Sequence, residues 1–258
     1  MSWHRRLTLA LALTIPVFHT VYAADSVETI ELASGGTQKY AVFRNDDGKP
    51  VTRLMALFTG GDGEAHVGLL DGSPVFVGRG FMVDGRRLFL REGTAVAVID
   101  SPSSMPKMAA KYRQEETYLA GTEKALDAFR AQFPTARLYL IGHSNGSISA
   151  MALASRMKER VAGVVSLGGV IRRSEDFGDI KLAQPILFMH HRKDACASPT
   201  YSAAFIDLYH PIFVEDIGAY FPSRCGPYSA HHFHGQEGAV VDTIYRWLNG
   251  ATLTESIR

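Results

Sequence analysis

The segment Gly142-His143-Ser144-Asn145-Gly146 places a serine between two glycines, where an apolar run meets a helical pattern. A serine that projects from a sharp strand-to-helix turn exposes its hydroxyl for nucleophilic attack, and the glycines leave room for the tight backbone. The helix N-terminus behind it favours negative charge that develops on a substrate oxygen. The segment therefore predicts a nucleophile at Ser144, with a structural glycine-rich turn as the alternative.

Two hydrophobic patterns alternate around this turn. Short apolar runs, typical of strands covered on both faces, lie at 54–58, 95–99, 138–141, 161–167 and 186–189. Apolar side chains recur at helical spacing in 119–133, 145–159 and 240–248. Around Ser34-Gly35-Gly36 the pattern predicts an N-terminal antiparallel hairpin. The alternation predicts an α/β fold with a mainly parallel central sheet and helices on both faces.

With this motif and element order, the chain resembles the α/β-hydrolase-fold serine hydrolases. The resemblance covers most of the chain after residue 23, and its specific motifs lie in four short segments. It implies a nucleophile, an acid and a histidine in that order along the chain, with Ser144 as the nucleophile. The connection between Leu167 and Pro185 is short, which indicates the absence of a large cap domain.

The resemblance implies that the acid lies in the loop after the second strand beyond the serine. The run at 186–189 leads into that loop, and Asp194 lies within it. Its expected role is to accept a hydrogen bond from the histidine and to hold the imidazole in the required tautomer. Asp100 is the alternative, although it precedes the nucleophile and so breaks the family's order.

The base is expected in a late loop just before the last helix, where His231, His232 and His234 compete. His234-Gly235 directly precedes the final helical pattern, which is similar to the family's His-Gly arrangement. We therefore expect His234 to be the base, with His232 and His231 as alternatives. No carboxylate or cysteine spacing around these histidines supports a metal site, and the resemblance implies no cofactor.

An oxyanion hole requires two backbone donors in fixed positions. The resemblance implies that the amide of Asn145, directly after the nucleophile, supplies one of them. The second is expected from Thr59-Gly60-Gly61-Asp62-Gly63, which follows the run at 54–58. Gly61 or Asp62 is the expected donor, and an ordinary turn is the alternative. The fuller His-Gly-Gly-Gly pattern of some lipases and esterases is missing.

The N-terminus predicts export, and export would place the two cysteines, Cys196 and Cys225, in an oxidising compartment. Arg5 and Arg6 precede an apolar run and then Val21-Tyr22-Ala23, a pattern typical of a signal peptide cleaved after Ala23. A membrane anchor is the alternative. In an oxidising compartment an even pair of cysteines indicates a disulfide rather than two free thiols. The expected organisation is therefore a signal peptide at 1–23 and a single domain at 24–258.

Composition limits the partners. The chain has 27 basic and 26 acidic residues, a formal net charge of +1, and 46% hydrophobic residues. These values exclude collagen-like, disordered and multi-span membrane proteins. The near-zero net charge gives no electrostatic indication of nucleic-acid binding. No segment after residue 23 is apolar and long enough to span a bilayer.

We therefore expect an exported serine hydrolase that cleaves a small-molecule carboxylic ester through an acyl-enzyme, in the periplasm or outside the cell. A peptidase, thioesterase or polyester depolymerase would use the same groups. A noncatalytic binding protein on the same scaffold is the alternative from another class, because a fold does not determine a function. The sequence does not define the acyl group, the alcohol or the oligomeric state.

Overall fold

The computed structural model describes residues 25–45, 47–105, 107–215 and 223–258. The predicted signal peptide at 1–23 and the predicted mature start at Ala24 lie outside the described residues. The division into a signal peptide and a single domain therefore stays a prediction. Within the described residues, no helix is long and apolar enough to cross a membrane.

A nine-stranded sheet forms the centre of the protein. Its strands are β1 (Asp25–Glu31), β2 (Thr37–Arg44), β3 (Arg53–Phe58), β6 (Thr94–Ile99), β7 (Arg137–His143), β8 (Gly163–Leu167), β9 (Ile186–His191), β10 (Ile212–Val214) and β11 (Ser256–Ile257). A separate antiparallel hairpin contains β4 (Val67–Leu70) and β5 (Ser73–Phe76).

The strand order in the large sheet is β1-β2-β6-β3-β7-β8-β9-β10-β11. All neighbours from β6 to β11 in this order pair in parallel. Only β2 runs antiparallel to both of its neighbours, β1 and β6. The predicted fold class is confirmed, including the N-terminal antiparallel pair.

Helices cover both faces of this sheet. Alternate strand residues point to opposite faces, and the apolar side chains on each face pack against helices. The helices are α1 (Phe81–Asp84), α2 (Glu116–Ala131), α3 (Gly146–Met157), α4 (Ala203–Tyr209) and α5 (Glu237–Leu248). Leu54 and Ala56 of β3 pack with α2 and α3 in one apolar core, whereas Met55 and Leu57 pack with α1 and α5 in the other. The sheet is therefore covered by an apolar layer on each face.

The hydrophobic pattern located the long central elements and missed the short peripheral ones. The strands β4, β5, β10 and β11 and the helices α1 and α4 are at most seven residues long. Segments this short show less than two helical turns or only two to four strand residues. Such lengths carry too little periodicity to separate them from loops.

Candidate active site

Three loops meet at one edge of the sheet, because the carboxyl ends of adjacent parallel strands lie together. Residues 59–63 follow β3, Ser144 follows β7, and Asp194 follows β9. A fourth loop, which contains a short 3₁₀ turn at Ala230–His232, leads into α5 at the same edge. Rigid strands thus position residues that are far apart in the sequence.

Ser144 lies in a strained turn between β7 and α3. Its φ is +53°, in the left-handed region that a non-glycine residue rarely adopts and that costs about 1–3 kcal/mol. A Cβ atom on Gly142 would lie 2.3 Å from the oxygen of Gly146, and one on Gly146 would lie 2.2 Å from the oxygen of Phe58. Both glycines are therefore required by the close approach of the backbone, as the motif predicts.

The Asp194 carboxylate is buried and accepts four hydrogen bonds. The amides of Cys196 and Ala197 donate to Oδ1 over 2.8 and 2.9 Å. His231 Nδ1 and His190 Nε2 donate to Oδ2 over 2.6 and 2.9 Å. Burial alone would raise the pKa of Asp194, but the hydrogen bonds from His190 and His231 hold it well below its usual value. Asp194 is therefore ionised.

The structure corrects the expected pairing of Asp194 with His234. His231, not His234, contacts Asp194, and His231 lines the same cleft as Ser144. His234 lies beside a separate pocket, where its Nδ1 is 3.5 Å from Glu237 Oε1 and its ring packs against Tyr228. The His-Gly pattern before α5 does not identify the histidine that contacts Asp194, because the backbone of this turn decides which ring faces the acid.

Phe233 lies between His231 and His234 in the chain and changes the direction of the backbone there. Its φ of +56° reverses the backbone after the 3₁₀ turn, and its fully buried ring packs 5.9 Å from the ring of Phe81. His231 and His234, on either side of Phe233 in the chain, line different pockets.

Two further histidines pack on His231 and remain neutral. The ring centroids of His143 and His232 lie 4.6 and 5.5 Å from that of His231. Burial and the neighbouring histidines lower the pKa of His143 well below its usual value. Burial and the neighbouring His231 lower the pKa of His232 to about 4. His143 Nε2 donates to the carbonyl oxygen of His231 over 2.8 Å and so restrains the backbone of that residue.

His190 supports Asp194 from the side opposite His231. Its buried ring donates from Nε2 to Asp194 Oδ2 and, over 2.7 Å, to the oxygen of Ala197. Its Nδ1 lies 2.8 Å from the hydroxyl oxygen of Tyr201, within hydrogen-bond distance. The contact of His190 with Asp194 was not expected from the sequence. The position of His190 at the end of β9, four residues before Asp194, is the only signal.

Three backbone amides along the cleft have no acceptor among the described residues: those of Gly61, Asp62 and Asn145. The carbonyl oxygen of Gly61 accepts the Asn145 side chain over 3.3 Å, which ties the loop after β3 to the turn at Ser144. Unpaired amides at a cleft wall can bind a developing oxyanion. All three residues expected in the oxyanion hole therefore lie together.

The predicted disulfide between Cys196 and Cys225 is present, with a Cα separation of 5.0 Å. It joins the loop that carries Asp194 to the loop that carries His231, and both cysteines line the cleft. By the chain-entropy model, a loop of this length stabilises the fold by roughly 3–4 kcal/mol. The bridge also limits the relative motion of the two residues that share the 2.6 Å hydrogen bond.

Comparisons with known proteins agree with this architecture. A family model of the alpha/beta hydrolase fold matches residues 90–192, which include β7, the Ser144 turn, α3 and β9. The chain has the α/β-hydrolase fold. No curated protein matches the sequence.

Solved structures with this α/β-hydrolase fold superpose on almost the whole chain. An alpha-beta serine hydrolase homologue from Coxiella burnetii has a TM-score of 0.62 at 16% identity, over 89% of this chain and 100% of that one. An a/b serine hydrolase without lid from Xanthomonas campestris has a TM-score of 0.58 at 18% identity, over 90% and 98%. Est1E from Butyrivibrio proteoclasticus has a TM-score of 0.61 at 14% identity, over 87% and 98%.

In this α/β-hydrolase fold the site opens into a cleft of about 690 Å³. Ser144 and His231 face it together with polar residues such as Glu64 and Arg79. Asp100, the alternative acid, instead accepts the amides of residues 65–67 and 101 and lines a second pocket. Within the described residues, no group of three metal-ligating side chains is close enough to hold an ion.

Proposed function

We propose that the protein is a serine hydrolase that cleaves carboxylic esters, with Ser144 as nucleophile, His231 as base and Asp194 as the acid that orients it. The observation that carries the proposal is the 2.6 Å hydrogen bond from His231 to Asp194, in a cleft that His231 shares with the strained Ser144. The hydrolase fold and its structural neighbours support the reaction class.

In the acylation step, the Ser144 hydroxyl attacks the ester carbonyl and His231 Nε2 accepts its proton. Asp194 stabilises the resulting imidazolium because its carboxylate is already ionised and bonded to Nδ1. The amides of Asn145 and of Gly61 or Asp62 bind the negative carbonyl oxygen. The imidazolium then protonates the leaving alcohol, which departs as the acyl-enzyme forms.

Deacylation repeats these steps with water as the nucleophile. His231 removes a proton from the water, which attacks the acyl carbonyl, and the same amides bind the second oxyanion. The proton returns to Ser144 as the carboxylic acid leaves. The two neighbouring neutral histidines add no second positive charge beside the imidazolium. No cofactor takes part in this scheme.

The substrate that we propose is a small-molecule ester. The short connection between β8 and β9 contains no large cap, so a soluble substrate reaches the cleft directly. The mixed polar and apolar lining, which includes Arg79, Val77 and Val170, suits an ester that carries polar groups.

Labelling with a fluorophosphonate probe tests the nucleophile. We expect Ser144 Oγ to displace fluoride from phosphorus and retain the probe, because its neighbours activate it as they would for an ester. Mass spectrometry of the labelled peptide should place the adduct on Ser144, and the Ser144→Ala variant should remain unlabelled. A folded wild-type protein that takes up no probe would favour the noncatalytic binding function.

Export through the predicted signal peptide is part of the proposal. The disulfide between Cys196 and Cys225 is compatible with an oxidising compartment. We expect the active protein from the periplasmic or secreted fraction to begin at Ala24, as measured by intact mass. An active soluble form that still begins at Met1 would contradict the processing site.

A further inference from the structure

Arg113 is a buried cation directly behind the loop that follows β3. It belongs to the 3₁₀ turn Ala110–Gln114 and is only 1% exposed. Its Nη2 donates to the carbonyl oxygens of Gly61 and Gly60 over 3.0 and 3.4 Å, and its Nη1 donates to Ser149 Oγ over 2.9 Å. Arg113 is not part of the cleft lining, so it contacts the loop from the side opposite the substrate.

This guanidinium has no carboxylate partner. Among the described residues Arg113 forms no ion pair, Asp62 supplies only a longer-range attraction, and the buried Nε has no hydrogen-bond partner. Burial lowers the pKa of Arg113, but a guanidinium keeps its proton under these conditions. An apolar side chain would fill the same space without the cost of burying an unpaired charge. Packing alone therefore does not account for an arginine here.

The geometry of the loop connects this charge to the candidate oxyanion hole. In a trans peptide the C=O and the following N–H point in opposite directions. Arg113 donates hydrogen bonds to the carbonyl oxygens of Gly60 and Gly61. The N–H groups of Gly61 and Asp62, in the same two peptide units, therefore point away from Arg113. Those two residues line the cleft, and their amides have no acceptor among the described residues.

We propose that Arg113 is a positioning residue that orients and polarises both candidate oxyanion donors, Gly61 and Asp62, from behind. This inference rests on the proposed function. A hydrogen bond from a cation to a peptide oxygen draws electron density from the amide and makes its N–H a stronger donor. Arg113 thus acts through the backbone, and its effect is largest when the substrate oxygen carries a full negative charge.

The experiment compares Arg113→Lys, Arg113→Gln and Arg113→Met with wild type, using p-nitrophenyl acetate and an aryl trifluoromethyl ketone. The ketone reacts with Ser144 to form a tetrahedral oxyanion, so its inhibition constant measures how well the oxyanion hole stabilises negative charge. Arg156→Met is the matched control, because Arg156 lies in α3 and pairs with Glu116 and Glu123 away from the cleft. We expect this control to behave as wild type.

For Arg113→Met we expect kcat to fall about 10- to 100-fold while KM changes less than about threefold, because only the transition state carries the full charge. The inhibition constant of the ketone should rise by the same factor as kcat/KM falls. Unchanged kcat/KM, or a lower kcat with unchanged ketone affinity, would overturn the proposal. A rise in KM as large as the fall in kcat would indicate a general distortion of the substrate site and would also overturn it.

Should Arg113→Met fail to fold, the comparison of Arg113→Lys with Arg113→Gln still tests whether the positive charge at this position contributes to catalysis. Arg113→Lys keeps a charge and a donor, whereas Arg113→Gln keeps a donor alone. The proposal requires a higher kcat for Arg113→Lys, and an equal or lower value would refute it. A wild-type protein without esterase turnover or Ser144 labelling would instead refute the proposed function.

Discussion

We expect Ser144→Ala and His231→Ala each to lower kcat for an activated ester by about 10⁴-fold or more, because each removes a group that acts in the same proton transfer. His234→Ala should remain within about threefold of wild type, since His234 lies in another pocket beside Glu237, whereas His231 is the histidine that contacts Asp194 in the cleft. Steady-state kinetics with p-nitrophenyl acetate measure all three variants.

The double variant Ser144→Ala/His231→Ala should lose little more than either single variant, because triad members act as a unit. Near-wild-type circular dichroism and melting temperature control for folding. A large loss in His234→Ala combined with a small loss in His231→Ala would overturn the assignment of the base.

Asp194→Asn should lower kcat by roughly 10³- to 10⁴-fold at neutral pH with the fold retained, because it forces the wrong tautomer on His231. The amides of Cys196 and Ala197 both donate to Oδ1, so the asparagine oxygen must take that position. Its NH₂ group then faces His231 Nδ1, which can only accept. His231 Nε2 consequently carries the proton and cannot accept the one from Ser144.

Asp176→Asn is the matched control. Asp176 also accepts two backbone amides, from Arg172 and Arg173, but it lines a different pocket from Ser144 and His231. We expect its kcat to equal that of wild type, with at most a small loss of thermal stability. A similar kcat for Asp194→Asn and wild type would remove Asp194 from the mechanism, even if Ser144 remains the nucleophile.

Local sequence determined the parts of this protein that depend on a few neighbouring residues. The glycines around Ser144 indicate a sharp turn because no side chain fits at those positions. The unbroken apolar runs indicate strands covered on both faces. Because these strands are parallel, the residues that follow them, Asp194 and the loop with Gly61, lie at the same edge of the sheet. The two cysteines predict their own pairing because no others compete.

Tertiary structure alone decided which groups complete the site. The left-handed backbone and the buried ring of Phe233 place His231 on Asp194 and turn His234 away, although both fit the expected chain order. Arg113 reaches the candidate oxyanion loop only because two segments distant in sequence pack together. Local periodicity reports which face of an element is buried, but it does not report which buried polar groups meet across elements. Those contacts depend on the backbone of the connecting turns and on side chains brought together by the sheet.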